Sequence, residues 1–187
     1  MIVLGIDPGS RRCGYGVVER RGTRLELLDA GVLAPGELPM AVRLAAIQDG
    51  LASIIARARP EEVSVEQVFS GVSARSALVL GQARGVALAA AARAGLPVFE
   101  YAPSEVKLAF TGSGRASKEQ MLRTARMLLG SAAALSDEAD AIALAVCHLA
   151  RRAVRLAAAG VHAAPGRSAA AMARVRPARR DHRKAAP

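Results

Sequence analysis

The chain has 187 residues, 52% of them hydrophobic, 3% aromatic and none tryptophan. That is enough for one globular domain whose core must be filled by Ala, Leu and Val, and it excludes a disordered or collagen-like chain. Two cysteines, Cys13 and Cys147, exclude a disulfide framework or a CxxC zinc site and read as reduced and structural in a cytosolic protein, while the net charge of +10 suggests a polyanionic partner.

The charge is uneven. Residues 161–187 hold seven Lys or Arg against a single acid, Asp181, a net +6, which leaves +4 for residues 1–160. A basic tail suits nucleic acid, but for the tail alone solubility and an arginine-rich composition are the better explanation. No basic stretch precedes an apolar one at the start, so no secretory leader is expected. Arg93 and Gly95, then Arg151 and Arg152, interrupt the alanine-rich runs, so no membrane span is expected either.

Ile2-Val3-Leu4-Gly5-Ile6 is a run of a buried strand, ended by the turn signal Asp7-Pro8-Gly9. Residues 14–18 read as the returning strand. Asp7 is thus a carboxylate on a strand that both neighbours should bury, which is costly unless it meets a cation or several hydrogen bonds. Residues 24–33 form a third strand with one wet face. A helix over 39–58 follows, with Met40, Leu44, Ile47, Leu51, Ile54 and Ile55 on one stripe between Pro39 and Pro60.

A fourth strand over 62–69 carries Glu66 near its end, facing away from Val63 and Val65. A long helix over about 74–94, a fifth strand over 97–101 and a short helix opened by Pro103-Ser104, bearing Lys107, come next. Ser117-x-x-Gln120 is a capping box for a helix over 118–129 that stops at Gly130. Ser136 to Asp140 opens the last helix. From about 161 the composition turns to Ala, Arg, Gly and Pro without period, the pattern of a disordered tail. Three strands in succession, then helices alternating with strands, imply an α/β domain: a mixed five-stranded sheet with helices on both faces.

Asp7, Glu66, Asp137 and Asp140 are the candidate chemical groups. Two end strands and two share a face of one helix's first turn. Brought together they would repel, and divalent cations with a taste for oxygen, Mg²⁺ or Mn²⁺, would relieve that. Each also has a plain explanation: Asp137 and Asp140 as capping or dipole-favoured acids, Glu66 as a solvated strand end, Asp7 as an Asx-turn residue. Lys118 opposes the dipole of the helix it opens, which a bound phosphate would offset. Lys107, Arg115 and Arg75 could extend the same basic edge or be ordinary surface charge. Phe69 could stack on an unpaired base or fill the core, and Tyr101 poses the same choice. Gly81 and Gly85 share a helical face open to close packing, within the chain or across a two-fold axis. His148, in an apolar helix, reads as structural.

Gly5-Ile6-Asp7-Pro8-Gly9, Val65-Glu66-Gln67-Val68-Phe69, Leu80-Gly81-Gln82-Ala83-Arg84-Gly85 and Asp137-Glu138-Ala139-Asp140-Ala141 with Cys147-His148 together resemble the four ordered motifs of the RuvC family of bacterial Holliday-junction resolvases. The resemblance covers about residues 2–150. It implies the RNase H-like fold in a nuclease domain over 1–160, with the tail of 161–187 outside it. It implies two Mg²⁺ held by the four acids, with Mn²⁺ able to substitute. It also implies a cytoplasmic homodimer that cuts two strands of a four-way DNA junction symmetrically in recombination and repair, working with the RuvA and RuvB branch-migration complex. Metal-assisted hydrolysis would leave 5′-phosphate and 3′-hydroxyl ends. Phe69 carries over as a residue inserted at the junction, and Lys107 and Lys118 as phosphate contacts. Ser73 departs from the Asn usual at its position. Rival readings are a YqgF-type RNA-processing nuclease, which lacks the GQARG-like helix, and a junction-binding protein without catalysis, which would not need the acids. A sugar-kinase or actin-type ATPase needs two lobes, more than this length holds.

Overall fold

The computed structural model describes residues 1–67, 73–130 and 135–158. Its elements are β1 (Ile2–Asp7), β2 (Cys13–Arg21), β3 (Arg24–Leu33), α1 (Met40–Ala58), β4 (Glu62–Glu66), α2 (Ala74–Arg93), β5 (Val98–Tyr101), α3 (Pro103–Thr111), α4 (Lys118–Leu129) and α5 (Ser136–Ala158). The five strands form one sheet in the order β3-β2-β1-β4-β5. Strands β1, β2 and β3 pair antiparallel, while β4 and β5 join parallel. The apolar opening run therefore becomes the central strand, as its lack of polar alternation requires.

Strand alternation divides the core into two layers. Leu4, Ile6, Val17, Val63 and Val65 pack under α1 and α2 with Ile47, Leu51, Ala87 and Ala91. Val3, Val18, Tyr101, Val106, Phe110, Met121, Ile142 and Leu149 pack on the other face with α3, α4 and α5. Tyr101 is thus core, only 4% exposed, and the stacking alternative is removed. Strand β3 keeps its expected half-wet alternation at the sheet's edge.

The caps follow the sequence. Ser117 Oγ accepts from the Gln120 N–H and Gln120 Oε1 accepts from the Ser117 N–H, closing the capping box of α4 at a gain of about 1 kcal/mol. Gly130 ends that helix at φ 60°, a conformation that costs glycine little. Both cysteines are buried free thiols.

What fixes α5 on the sheet is an absence of side chains. Gly5, Gly14 and Gly16 all face it. A Cβ at Gly5 would fall on the Ala141 carbonyl oxygen, one at Gly14 on the Asp137 carbonyl oxygen, and one at Gly16 within 2.8 Å of Ile142 Cα. The three positions form a bare track on β1 and β2 along which the helix backbone lies in contact with the strand backbones. Glycine inside a strand commonly marks such an approach.

Candidate active site

Asp7 stands opposite Gly14 in the β1–β2 ladder. Gly14 in turn meets the Asp137 backbone at the start of α5. On the other side, Ile6 is level with Val65, so the next residues, Asp7 and Glu66, are neighbours at the ends of parallel strands. Alternation turns both carboxylates to the α5 face, where Asp140 lies one helical turn from Asp137. The four acids named from the sequence therefore converge at one end of the sheet.

Their electrostatics record the convergence. Burial, then repulsion from Glu66, Asp140 and Asp137, pushes the Asp7 carboxyl up from 3.8 to about 7, against a smaller opposing pull from Lys118. Burial and the Asp140 charge raise Glu66, while Lys107 opposes them. Burial also raises Asp140, with Lys118 and Lys107 pulling it down and Asp137 adding to the rise. A half-buried group of carboxylates that resists ionisation is short of positive charge.

Two lysines approach. Lys107 and Lys118, with Glu66, Asp140, Pro103, Val106, Met121 and Leu144, line an open cleft of about 210 Å³. Short helices α3 and α4 deliver them, the second from its first residue. Arg75 and Arg115 are exposed and do not line this cleft. Phe69 lies outside the described residues, as does the tail from 161. The face bearing Gly81 and Gly85 is open: a Cβ at either meets nothing within 4 Å.

The donor set fits a hard divalent cation. Every candidate ligand is a carboxylate oxygen, as Mg²⁺ and Mn²⁺ prefer, and their mutual repulsion is what such an ion would relieve. Among the described residues no three ligating side chains are yet drawn together as a closed cage. Arg12 Nε donates to Asp137 Oδ2 at 2.5 Å. Arg12, just past the turn after β1, was not singled out from the sequence. The same turn is braced by Arg43 of α1, whose Nη1 reaches Ser10 Oγ at 3.3 Å.

Asp137 is accordingly an ion-pair partner as well as a residue of the helix's first turn. His148 has the structural role expected of it. Tyr101 Oη lies 2.7 Å from His148 Nδ1, and His148 Nε2 lies 2.5 Å from Glu62 Oε2, which also accepts from Arg152 Nε at 3.1 Å. Glu62 begins β4 and Glu66 ends it, so the His148–Glu62 pair lies away from the cleft, while Tyr101, level with Glu66, joins the network from the cleft's end of the sheet.

A family model described as crossover junction endodeoxyribonuclease RuvC matches residues 3–148. A protein of Anaeromyxobacter dehalogenans (strain 2CP-C) bearing that name is 76% identical over 186 residues, 98% of each chain. One from Trichlorobacter lovleyi is 48% identical over 179 residues, 95% of this chain and 100% of the relative. Among solved structures, T. thermophilus RuvC in complex with Holliday junction substrate superposes with a TM-score of 0.75 at 38% identity, covering 82% of this chain and 96% of that one. The yeast mitochondrial Holliday junction resolvase Ydc2, at 15% identity and a TM-score of 0.59, shares the fold.

Proposed function

The chain belongs to the RuvC family of crossover junction endodeoxyribonucleases, and from that premise we propose that it resolves four-way DNA junctions by paired, symmetric, metal-dependent hydrolysis of phosphodiesters. The observation that carries the proposal is the convergence of Glu66, Asp137 and Asp140 near a half-buried Asp7, whose carboxyl burial and those neighbours push up to about 7.

Asp7, Glu66, Asp137 and Asp140 would hold two Mg²⁺, or Mn²⁺ in their place. Bound there, the ions supply Lewis-acid chemistry that activates the attacking water and steadies the departing 3′ oxygen, leaving 5′-phosphate and 3′-hydroxyl ends. The chain's own part is placement and charge. The ends of two interior strands are rigid supports for two of the carboxylates, and the glycine track holds the helix that bears the other two. Lys107 and Lys118, on the cleft wall beside Glu66 and Asp140, would donate hydrogen bonds to the non-bridging oxygens of the scissile phosphate and offset its repulsion from the acids. Phe69, Arg75 and Arg115 lie at or near the segments flanking the cleft in sequence and would contact DNA beyond the cut.

Two identical cuts on one junction call for two identical active sites. A homodimer supplies them, and the open Gly81 and Gly85 face of α2 would serve as its contact. The working unit is residues 1–160, with 161–187 as a basic appendage, and the RuvA–RuvB branch-migration complex would present the junction in the cytoplasm. Among the described residues no helix is long and apolar enough to cross a membrane.

The test is incubation with a synthetic four-way junction, a linear duplex and an RNA–DNA hybrid, each with Mg²⁺ and with excess EDTA. Paired nicks in the junction alone, only with Mg²⁺, are expected. Equal cutting of duplex and junction, or undiminished cutting in EDTA, would refute the proposal.

A further inference from the structure

The Leu80–Gly85 segment is the most characteristic stretch of the chain, yet none of its side chains has a part in the chemistry above. Arg84 does reach the site, from behind. Its Nε donates to the Glu66 carbonyl oxygen at 3.3 Å, and its Nη2 lies 2.5 Å from Glu100 Oε2 on β5. The side chain is only 18% exposed.

The Glu66 carbonyl has a specific need for this donor. The Val63 and Gln67 N–H groups bond across to Pro97 and Tyr101 on the β5 side. Backbone groups alternate in direction along a strand, so those of Glu66 turn toward β1. Ile6 is level with Val65 and the pairing runs parallel. Continued past Asp7, the ladder would present to the Glu66 carbonyl the nitrogen of Pro8, which carries no hydrogen. The proline that turns the chain after Asp7 thus leaves a strand-end acceptor without its ladder donor, and Arg84 supplies one from α2. Glu100 holds the guanidinium in place while it does so.

We propose that Arg84 is a positioning residue for Glu66: by closing the last open bond of β4 it holds the Glu66 carboxylate where the metal site requires it. This rests on Glu66 being a metal ligand, the reading given above. A plain brace between α2 and the sheet makes a different prediction, because it would cost melting temperature and leave metal affinity unmoved.

The experiment measures Mn²⁺ binding by calorimetry without DNA, the Mg²⁺ dependence of single-turnover incision, and melting temperature for full-length wild type, Arg84→Gln, Arg84→Lys, Glu100→Gln and Glu66→Gln. Arg84→Gln should weaken Mn²⁺ binding by about tenfold or more and raise the half-saturating Mg²⁺ concentration equally, as loss of a group that orients a ligand does. Arg84→Lys, which keeps a donor but not the fork, should recover part of that, and Glu100→Gln should fall between. Wild-type Mn²⁺ affinity in Arg84→Gln overturns the inference. Should that variant fail to fold, wild-type affinity in both Arg84→Lys and Glu100→Gln overturns it equally. Unchanged Mn²⁺ binding in Glu66→Gln would remove the ligand assignment and the inference together. Lost binding in Glu66→Gln with retained binding in the Arg84 variants removes the inference alone.

Discussion

Asp7→Asn should make the metal-free protein more stable at alkaline pH while destroying its activity. The Asp7 carboxyl is raised from 3.8 to about 7, first by burial and then by the neighbouring acids. Between those values the folded chain keeps a proton that the unfolded chain has released. Stability therefore falls as pH rises through that window, and the full penalty is present above about 7. At about 1.4 kcal/mol per pH unit, the rise corresponds to a ceiling of about 4 kcal/mol. Asparagine removes the charge but remains a buried polar group, and its own desolvation of about 1–3 kcal/mol leaves a net gain of about 2 kcal/mol. At about 2–4 °C per kcal/mol for a chain of this size, melting in EDTA at pH 8 should rise by about 4–8 °C. The gain should shrink as pH falls and become a loss of about 2 kcal/mol toward pH 4, where folded Asp7 is already neutral and only the asparagine's own cost remains. Mg²⁺ should raise the melting temperature of wild type far more than that of the variant, since only an intact site gains from ligand binding. Junction binding in Ca²⁺ should hold or strengthen, and single-turnover incision in Mg²⁺ should drop by several orders of magnitude. A variant less stable than wild type at pH 8 in EDTA, or a difference that does not change with pH, would refute the reasoning. So would incision within a few-fold of wild type.

Gly5→Ala puts a methyl group on the Ala141 carbonyl oxygen; lifting α5 should cost about 1–3 kcal/mol or more and abolish incision with every acid intact, whereas wild-type melting and cutting would show that the helix yields freely. Arg12→Ala releases Asp137 from an ion pair whose arginine is 47% exposed; such pairs are worth about 0.2–1 kcal/mol, so Mn²⁺ binding should tighten by up to about fivefold, and weaker binding would mean that Arg12 helps to build the site. His148→Ala removes the link between Tyr101 and Glu62 and should destabilise by about 2–4 kcal/mol, read by denaturant melts, while the metal dependence of the folded enzyme stays put.

The order and type of every element were legible because punctuation and period agree. Pro39, Pro60, Pro103, the capping box at Ser117 and the glycine at 130 mark the helix ends, and apolar runs mark the strands. The four acids were legible as a set because two strand ends and one helical turn leave them few other meeting places. Other contacts were not, for a geometric reason. Arg12 meets Asp137 across 125 positions of sequence, and His148 meets Glu62 across 86. No periodicity relates such residues; only the register of the sheet and the placement of α5 do. Arg84 was visible within its motif, but its target is a backbone carbonyl, which has no letter in the sequence. The glycines at 5, 14 and 16 read as turn or strand residues, although their recurrence on one face of neighbouring strands was the available sign of a helix lying close.

The bare track beneath α5 has a genetic consequence. Any missense change in a glycine codon adds at least one carbon, so no substitution at Gly5, Gly14 or Gly16 leaves the helix backbone undisturbed. Alleles at these codons should lose activity without altering one ionisable group, and should differ in inheritance from alleles at the acids. A glycine allele encodes a chain that folds poorly and is cleared by proteolysis, so a second, normal copy of the gene masks it. An Asp7→Asn allele should encode a stable chain that still grips DNA without cutting it, and it should dominate a cell that carries both.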